Sequence, residues 1–360
     1  MNKYKTNYNT WEDNEDDGLP PIKTAAELLA NPLELPEEVI EGVVRHGHKM
    51  MISGASKSGK SFLLIELAIA LAEGTKWLGF QCKKSKVLYV NLEIDPRSLI
   101  YRFIDVYEAL GIEPIHNHDI VIWNLRGESQ PLDQLAPQLI RKARYLGIDV
   151  IILDPIYKVM MGDENSATAM ARFTNIFDKI CYKTGCTFVY SHHHSKGPQG
   201  FKSAMDRASG SGVFARDADA QVDMIQLNLV EVPMQNDDED SAATAWRLES
   251  SLREFQTFKP VNIWFEYPIH RVENSDKLDK NYADGDPRAN LLRSYKRNQT
   301  TKSRKEEFDR VFDLNRMKDG TCFASVLSEC LGIAERTVRD RVKEFSDEYV
   351  TKKGIVSRKK

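Results

Sequence analysis

Residues 49–62 read KMMISGASKSGKSF, and this stretch decides how the rest of the chain is interpreted. An apolar run precedes a loop bracketed by Gly54 and Gly59, and a helical pattern, FLLIELAIALA, follows the loop. The loop fits G-x-x-x-x-G-K-[ST], in which glycines let the backbone come close to a polyphosphate while amide groups face the anion. The stretch therefore predicts a strand, a phosphate-binding loop and a helix, in that order.

The side chains of this loop indicate ATP and Mg²⁺ as its ligands. Lys60 is expected to reach the β- and γ-phosphates, and the Ser61 hydroxyl is expected to hold Mg²⁺. Two residues from later strands complete the predicted nucleotide-binding set, which is Gly54, Ala55, Ser56, Lys57, Ser58, Gly59, Lys60, Ser61, Phe62, Asp154 and His192.

The composition is typical of a soluble globular protein with one large domain and a smaller one. Of the 360 residues, 41% are hydrophobic and 29% are charged. The amino end has no apolar signal core, and no run of about 18 apolar residues occurs, so we expect a cytoplasmic protein without a membrane partner. The five cysteines form no C-x-x-C pair, which argues against a disulfide framework or a zinc ribbon.

Charge is distributed unevenly along the chain. Residues 288–360 carry 19 Lys and Arg against 11 Asp and Glu, a net charge of +8, whereas the remainder has a net charge of −11. A basic module on an acidic body indicates that the module meets an anionic polymer.

Strand-like and helix-like segments alternate after the loop, which predicts an α/β fold with a mostly parallel sheet. In such sheets chemistry lies beyond the carboxyl ends of the strands. Four predicted strands end in polar residues, at Ser53–Gly54, at Glu93, at Asp154 and at the run His192–His194. We therefore expect these residues to converge on the phosphate-binding loop.

Each strand end suggests a role. Asp154 would complete the Mg²⁺ shell opposite Ser61, and Glu93 would orient or deprotonate the water that attacks the γ-phosphate. Successive histidines on a strand point to opposite faces of the sheet, so at most two of the three, His192 and His194, lie on the same face. An imidazole that senses the γ-phosphate is therefore favoured over a metal cluster.

Five stretches together resemble the RepA-like branch of the RecA-type ATPases, which occurs in hexameric replicative helicases of plasmids and phages. They are GASKSGKS at 54–61, NLEID at 91–95, IILDPIYKVMMGDENSATAM at 151–170, TGCTFVYSHHHSKG at 184–197 and RASGSGVFARDADA at 207–220. The resemblance covers roughly residues 35–270. It implies a RecA-like fold and a homo-hexameric ring with active sites between subunits.

The resemblance also implies roles for particular residues. It assigns the glutamate base to Glu93, the Walker-B aspartate to Asp154, and the sensor to His192 or His193. Loops at 159–168 and 197–212 would line a central channel that holds single-stranded DNA. The predicted DNA contacts are Lys202 and Arg207 in the second loop and Lys196 immediately before it.

An ATPase whose sites lie between subunits needs a cation delivered by the neighbour to the transition-state phosphate. Arg207, Arg216 and Arg253 are the candidates. Arg253 comes first, because related proteins place such an arginine after the late strand that here reads WRLESS. The predicted catalytic set is Glu93, Lys60, Arg253 and His193.

Residues 323–345, FASVLSECLGIAERTVRDRVKEF, have helix–turn–helix spacing, and the tail that follows is compatible with a two-stranded wing that turns at Lys353–Gly354. This module is similar to a winged helix, which predicts duplex DNA as a partner. The second helix displays the predicted DNA contacts Arg336, Arg339, Arg341 and Lys343. A helical hairpin that docks on a protein is the alternative.

The predicted organisation has four parts. They are a flexible acidic arm at 1–21, a RecA-like ATPase domain at 22–272, a linker at 273–305 and a winged-helix-like domain at 306–360. The favoured function is an ATP-driven motor on DNA, specifically a replicative helicase of a mobile element. The alternative is an ATP-switched DNA-binding initiator, loader or regulator that does not unwind. A small-molecule P-loop kinase ranks third, since no lid segment is evident.

Overall fold

A computed structural model describes residues 22–160, 166–195, 199, 202, 207, 213–229, 243–286, 301 and 304–359. The predicted arm at 1–21 and Lys196 lie outside these residues, as do parts of the two predicted channel loops.

The helices are α1 (Ala25–Ala30), α2 (Lys60–Glu73), α3 (Pro96–Leu110), α4 (Leu132–Leu146), α5 (Ala167–Thr184), α6 (Val213–Asp217), α7 (Ala324–Leu331) and α8 (Glu335–Glu344). Residues 304–315 are also helical. The strands are β1 (Glu38–Ile40), β2 (Val44–Arg45), β3 (Lys49–Gly54), β4 (Lys76–Trp77), β5 (Phe80–Gln81), β6 (Val87–Asn91), β7 (Ile120–Asn124), β8 (Val150–Asp154), β9 (Thr187–His193), β10 (Ala220–Asn228), β11 (Thr244–Leu252), β12 (Val261–Glu266), β13 (Ile269–Val272), β14 (Tyr282–Ala283), β15 (Thr321–Phe323), β16 (Tyr349–Lys352) and β17 (Ile355–Arg358).

One large sheet organises the described residues up to position 286. Its strand order is β13-β12-β11-β10-β3-β9-β8-β6-β7, and β14 pairs with β10. The strands from β10 to β7 in this order run parallel, whereas β11, β12 and β13 extend the sheet in antiparallel fashion. The predicted α/β fold with a mostly parallel central sheet is confirmed.

The central strands are buried on both faces because helices cover each side. In β6, Val87 and Tyr89 belong to the core formed with α2 and α3, whereas Leu88 and Val90 belong to the core formed with α4 and α5. Adjacent residues of a strand point to opposite faces, so a two-sided burial requires an almost continuous apolar run. Each fully buried Val or Leu side chain contributes about 1.5–3 kcal/mol.

Helix α4 differs from its sequence prediction. The sequence predicts a helix that Pro137 interrupts or delays, but α4 starts at Leu132 and contains Pro137. Proline removes one backbone hydrogen bond near the start of the helix. The buried face of Leu132, Leu135 and Leu139 offsets that loss, because these side chains are almost inaccessible to solvent.

The late part of the sheet also differs from the sequence prediction. The run NIWFEYPIHRV, expected to be one apolar segment, forms β12 and β13 with a turn at Tyr267 and Pro268. The segment 273–305, expected to be a linker, begins with ordered packing. Leu278 is fully buried with Leu227 and Ala245, and β14 pairs with β10.

The C-terminal residues have an apolar core of their own. Phe308 and Phe312 from the helix at 304–315 pack with Leu327 of α7, Val338 of α8 and Tyr349 of β16. Strands β15, β17 and β16 form an antiparallel sheet in that order. Among the residues that the structure describes, no helix is long and apolar enough to cross a membrane.

Candidate nucleotide site

The phosphate-binding loop joins β3 to α2, as the sequence predicts. Gly59, immediately before α2, adopts a left-handed conformation with φ 86°, which favours glycine over residues with a side chain. At Gly54 a Cβ atom would lie 2.9 Å from the Ser58 Oγ. Both glycines of the motif are therefore required by backbone conformation or by close approach.

Lys60 bridges the loop from its own helix. Its Nζ donates hydrogen bonds to the carbonyl oxygens of Gly54 at 3.0 Å and Ala55 at 2.7 Å. Burial lowers the pKa of Lys60 to about 8, although the charges of Asp154 and Glu93 oppose this effect. These two bonds hold the ammonium against the backbone of the loop, which suits a lysine that contacts phosphates.

Asp154 is held at the end of β8 with both carboxylate oxygens engaged. Ser191 Oγ donates to Oδ1 at 2.6 Å, and the Tyr89 hydroxyl donates to Oδ2 at 3.0 Å. Burial, together with the Asp154 charge, raises the pKa of Tyr89 well above its usual value, so Tyr89 stays a donor. A carboxylate and the Ser61 hydroxyl form the hard oxygen donor set that Mg²⁺ prefers, so the residues present fit this ion.

Glu93 lies in the turn between β6 and α3, which Asn91 shapes. The Asn91 Oδ1 accepts the backbone N–H of Ile94 at 2.9 Å and that of Glu93 at 3.3 Å. The nearby acid Asp95 has a structural role, because it caps α3 by accepting the Arg97 backbone N–H at 3.0 Å. Glu93 is therefore the better placed of the two acids for chemistry.

Tyr157 connects Glu93 to the histidine strand and has no predicted role in the sequence analysis. Its hydroxyl lies within reach of the Glu93 carboxylate, and its pKa is raised to about 12, first by partial desolvation and then by this carboxylate. Its ring lies 5.5 Å, centroid to centroid, from the ring of His193. Because the hydroxyl stays protonated at neutral pH, it is available as a donor to the Glu93 carboxylate.

The three histidines of β9 and its end occupy three different environments. His193 pairs with Gly54 in the sheet, and its Nδ1 lies 3.5 Å from the Lys60 Nζ. His192 is buried, and His194 places its Nε2 3.0 Å from the Ser53 Oγ. Of the two sensor candidates, the structure brings His193 to the lysine. No metal-binding group of His, Cys, Asp and Glu occurs within the described part of the chain.

Two of the three candidate arginines, Arg207 and Arg253, form ion pairs within their own chain. Arg207 is buried and pairs with Glu249 at 2.6 Å and Asp223 at 3.3 Å, so the structure does not support its predicted contact with DNA or with a neighbour's phosphate. Arg253 follows β11, and its Nη1 lies 2.7 Å from the Asp219 Oδ1. Its side chain is 51% exposed, as a residue that reaches a neighbour would need to be.

The remaining predicted DNA contacts divide by exposure. Lys202 donates to the Ser195 Oγ at 2.7 Å. On α8, Arg341 is largely covered and lies 3.5 Å from Glu307. The side chains of α8 that face solvent include Arg336, Arg339 and Lys343.

A cavity of about 600 Å³ lies beside the start of α2. Seven residues line it, namely Asp95, Arg97, Ser98, Tyr101, Arg102, Asp105 and Tyr267. Two of them cover Phe62, since the Arg102 guanidinium lies 4.8 Å from its ring and the Tyr267 ring packs edge-on at 5.2 Å. Phe62, predicted to line the nucleotide, therefore packs beneath the cavity wall.

A protein-family model described as an AAA domain matches residues 17–199. The chain belongs to the AAA-domain family. Membership confirms the prediction of a P-loop ATPase, and the matched region ends just after β9. The chain is also similar to a KaiC-like protein from the hyperthermophilic archaeon Pyrococcus horikoshii, with 14% sequence identity and a TM-score of 0.42. That alignment covers 66% of this chain and 94% of the archaeal chain.

Two residues of the candidate site have no predicted role in the sequence analysis. Ser191 contacts Asp154 because β9 lies next to β8, and Tyr157 lies beside Glu93 in the turn that follows β8. A signal was available for both, since Tyr157 lies three residues beyond Asp154 and Ser191 immediately precedes the histidine run. Polar residues near strand ends are reasonable candidates in any parallel sheet.

Proposed function

We propose that this chain is an ATP-hydrolysing motor that acts on DNA, specifically a RepA-type replicative helicase that works as a homo-oligomeric ring. The observation that carries the proposal is the contact between the Lys60 Nζ and the His193 Nδ1. It joins the phosphate-binding loop to the strand that leads into the predicted DNA-contacting segment.

Further contacts support a link between the two regions. The His194 backbone N–H donates to the Gly54 carbonyl at 3.1 Å, so the end of β9 is tied to the phosphate-binding loop. Just beyond it, the Ser195 backbone N–H donates to the Arg207 carbonyl at 2.7 Å. A change in the loop on hydrolysis can therefore move the segment that continues from β9.

In the proposed reaction, Glu93 orients or deprotonates the attacking water, and Tyr157 holds that carboxylate. Lys60 binds the β- and γ-phosphates with its ammonium, and Ser61 and Asp154 would hold Mg²⁺. When bound, this ion neutralises part of the phosphate charge. Arg253 from a neighbouring subunit is the proposed source of the final cation at the transition state.

Two further features support DNA as the partner. The C-terminal residues carry the excess of positive charge, and α8 presents Arg336, Arg339 and Lys343 to solvent. Arginine and lysine on a recognition helix bind backbone phosphates and orient a protein on duplex DNA. We propose single-stranded DNA at the ring and duplex DNA at α8.

The test is the ATPase rate with and without single-stranded DNA, measured on the intact protein, on Glu93→Gln and on the control Asp95→Asn. We expect stimulation by DNA, and a loss of about 100-fold in kcat for Glu93→Gln with ATP still bound, because general-base catalysis contributes that order of magnitude. Asp95→Asn should keep its kcat, since Asp95 caps α3.

Strand displacement on a forked duplex then tests unwinding itself. A rate that DNA does not change would overturn the motor and favour the ATP-switched DNA-binding protein. Stimulation by DNA without strand displacement would overturn the helicase while leaving a translocating ATPase.

A further inference from the structure

A buried acid–histidine pair lies behind the phosphate-binding loop, outside the catalytic set described above. The Glu66 Oε1 accepts the His270 backbone N–H at 3.1 Å and lies 2.7 Å from the ring Nδ1. The His270 side chain is 0% exposed and that of Glu66 is 4% exposed. The two residues are 204 positions apart, so the hairpin β12–β13 is fastened to the middle of α2.

The other edge of the His270 ring faces the loop. A Cβ atom placed on Gly59 would lie 3.2 Å from the His270 Nε2, so this nitrogen lies beside the last glycine of the motif. The ring is also packed on Phe265, with the centroids 4.6 Å apart. Glu66 and Phe265 therefore hold the imidazole in one orientation, with Nε2 directed at Gly59.

The His270 Nε2 has no hydrogen-bond partner among the described residues. A buried polar atom without a partner is costly, and such atoms in folded proteins call for a specific explanation. Because Nδ1 faces a carboxylate, Nδ1 carries the proton, which leaves Nε2 as an acceptor in the neutral ring. Because this nitrogen lies beside Gly59, the N–H groups that it can serve are those of the loop backbone.

We propose that His270 is a positioning residue for the phosphate-binding loop. Its Nε2 accepts a hydrogen bond from a backbone N–H near Gly59 when nucleotide is bound. Glu66 fixes the ring for this purpose. The inference concerns nucleotide binding alone, so it rests on the P-loop and not on the proposed action on DNA.

Two substitutions distinguish the roles of the two nitrogens of the His270 ring. In His270→Gln the side-chain amide reaches the place of Nε2, whereas in His270→Asn it reaches only the place of Nδ1. The probe is Mg²⁺ with a fluorescent ADP analogue, titrated without DNA. We expect His270→Asn to raise the dissociation constant about three- to tenfold, the effect of one hydrogen bond, and His270→Gln to stay within about twofold of the intact protein.

The melting temperature without nucleotide provides the control for a purely structural role. His270→Asn keeps the bond to Glu66, so a structural role predicts that it is the better tolerated variant in both stability and affinity. The proposal predicts the opposite order for affinity. Equal affinities of the two variants, or tighter binding by His270→Asn, would overturn it.

A measurement on the intact protein covers the case in which neither variant folds. With isotope-labelled histidine, the Nε2 resonance of His270 should move when ADP and Mg²⁺ are added. His116 also has its Nδ1 on a carboxylate, 3.0 Å from Glu73, and a spectrum of His116→Gln identifies its signals. An unchanged Nε2 resonance for His270 under saturating ADP would contradict the proposal.

Discussion

At the scale of single residues, the site consists of charged groups whose positions are set by neutral neighbours. Asn91 shapes the turn that carries Glu93, and Ser191 and Tyr89 hold Asp154. Neighbours of this kind fix the orientation of a functional group, and their removal typically lowers activity or metal affinity. Tyr157 is the clearest case, because it contacts both Glu93 and the ring of His193.

Tyr157→Phe tests this role. The substitution removes the hydroxyl that lies beside Glu93 but keeps the aromatic contact with His193. We expect kcat for ATP hydrolysis to fall about tenfold, because the carboxylate loses its orientation, while the ATP dissociation constant stays the same. Steady-state kinetics and nucleotide titration measure the two quantities.

The control for that experiment is Tyr182→Phe, which removes an exposed hydroxyl at the far end of α5. It should leave both quantities unchanged. If Tyr157→Phe keeps the full kcat, Glu93 does not depend on this hydroxyl.

The sequence predicts the charged residues of the site but not the neighbouring residues that position them. Gly54, Lys60 and Asp154 belong to local patterns in which strand, loop and helix follow each other within a few residues. The pair Glu66–His270 joins two segments that no local pattern relates, and a histidine in an apolar run gives no signal of its partner. Contacts between distant segments depend on strand order, which one sequence does not specify.

At the scale of elements, the sequence predicts the segments with regular patterns and misses the exceptions to those patterns. The parallel strands have long apolar runs, which indicate burial on both faces. Two prolines have different effects on the backbone. Pro137 lies inside α4, whereas Pro268 forms a turn with Tyr267. Packing decides between these outcomes, since α4 buries three leucines beside its proline.

Helix α8 allows a test at this scale. The triple substitution Arg336→Ala, Arg339→Ala and Lys343→Ala should weaken binding of a random duplex DNA. It should also reduce the slope of log affinity against log salt by about 0.9 for each phosphate that the helix no longer neutralises. Fluorescence anisotropy at several salt concentrations measures the slope.

The control for α8 is Lys318→Ala, which removes an exposed charge from the turn before β15. This variant should keep the salt dependence of the intact protein. An unchanged slope in the triple variant would contradict a DNA-binding helix and favour the alternative of a protein-docking hairpin.

At the scale of the whole molecule, the proposal requires sites shared between subunits. Each site would combine Glu93 and Lys60 of one subunit with Arg253 of the next. Arg253 lies after β11, in the antiparallel extension of the sheet, and its guanidinium is half-exposed. Head-to-tail contacts of this kind close into rings when the rotation between subunits allows it.

Mixing two inactive variants tests the shared site. Equal amounts of Glu93→Gln and Arg253→Ala should recover about a quarter of the wild-type ATPase activity, because random head-to-tail assembly makes that fraction of interfaces intact. Activity is measured after the subunits have exchanged.

A mixture of Glu93→Gln with Lys60→Ala is the matched control. Both residues belong to the same subunit's half of the site, so no interface regains a complete set and activity should stay at the level of the single variants. Recovery in neither mixture would argue against Arg253 as the residue supplied by the neighbour.

The alternation of side chains along β8 has a consequence for changes in chain length. Ile151 and Leu153 enter one core and Ile152 enters the other, while Asp154 must reach Tyr89 and Ser191. Deleting one residue from β8 would shift every later side chain to the opposite face. Changes in chain length are therefore tolerated best at surface connections such as 111–119. A change of one residue between Val150 and Asp154 would take the apolar side chains out of their cores and the Asp154 carboxylate away from Tyr89 and Ser191.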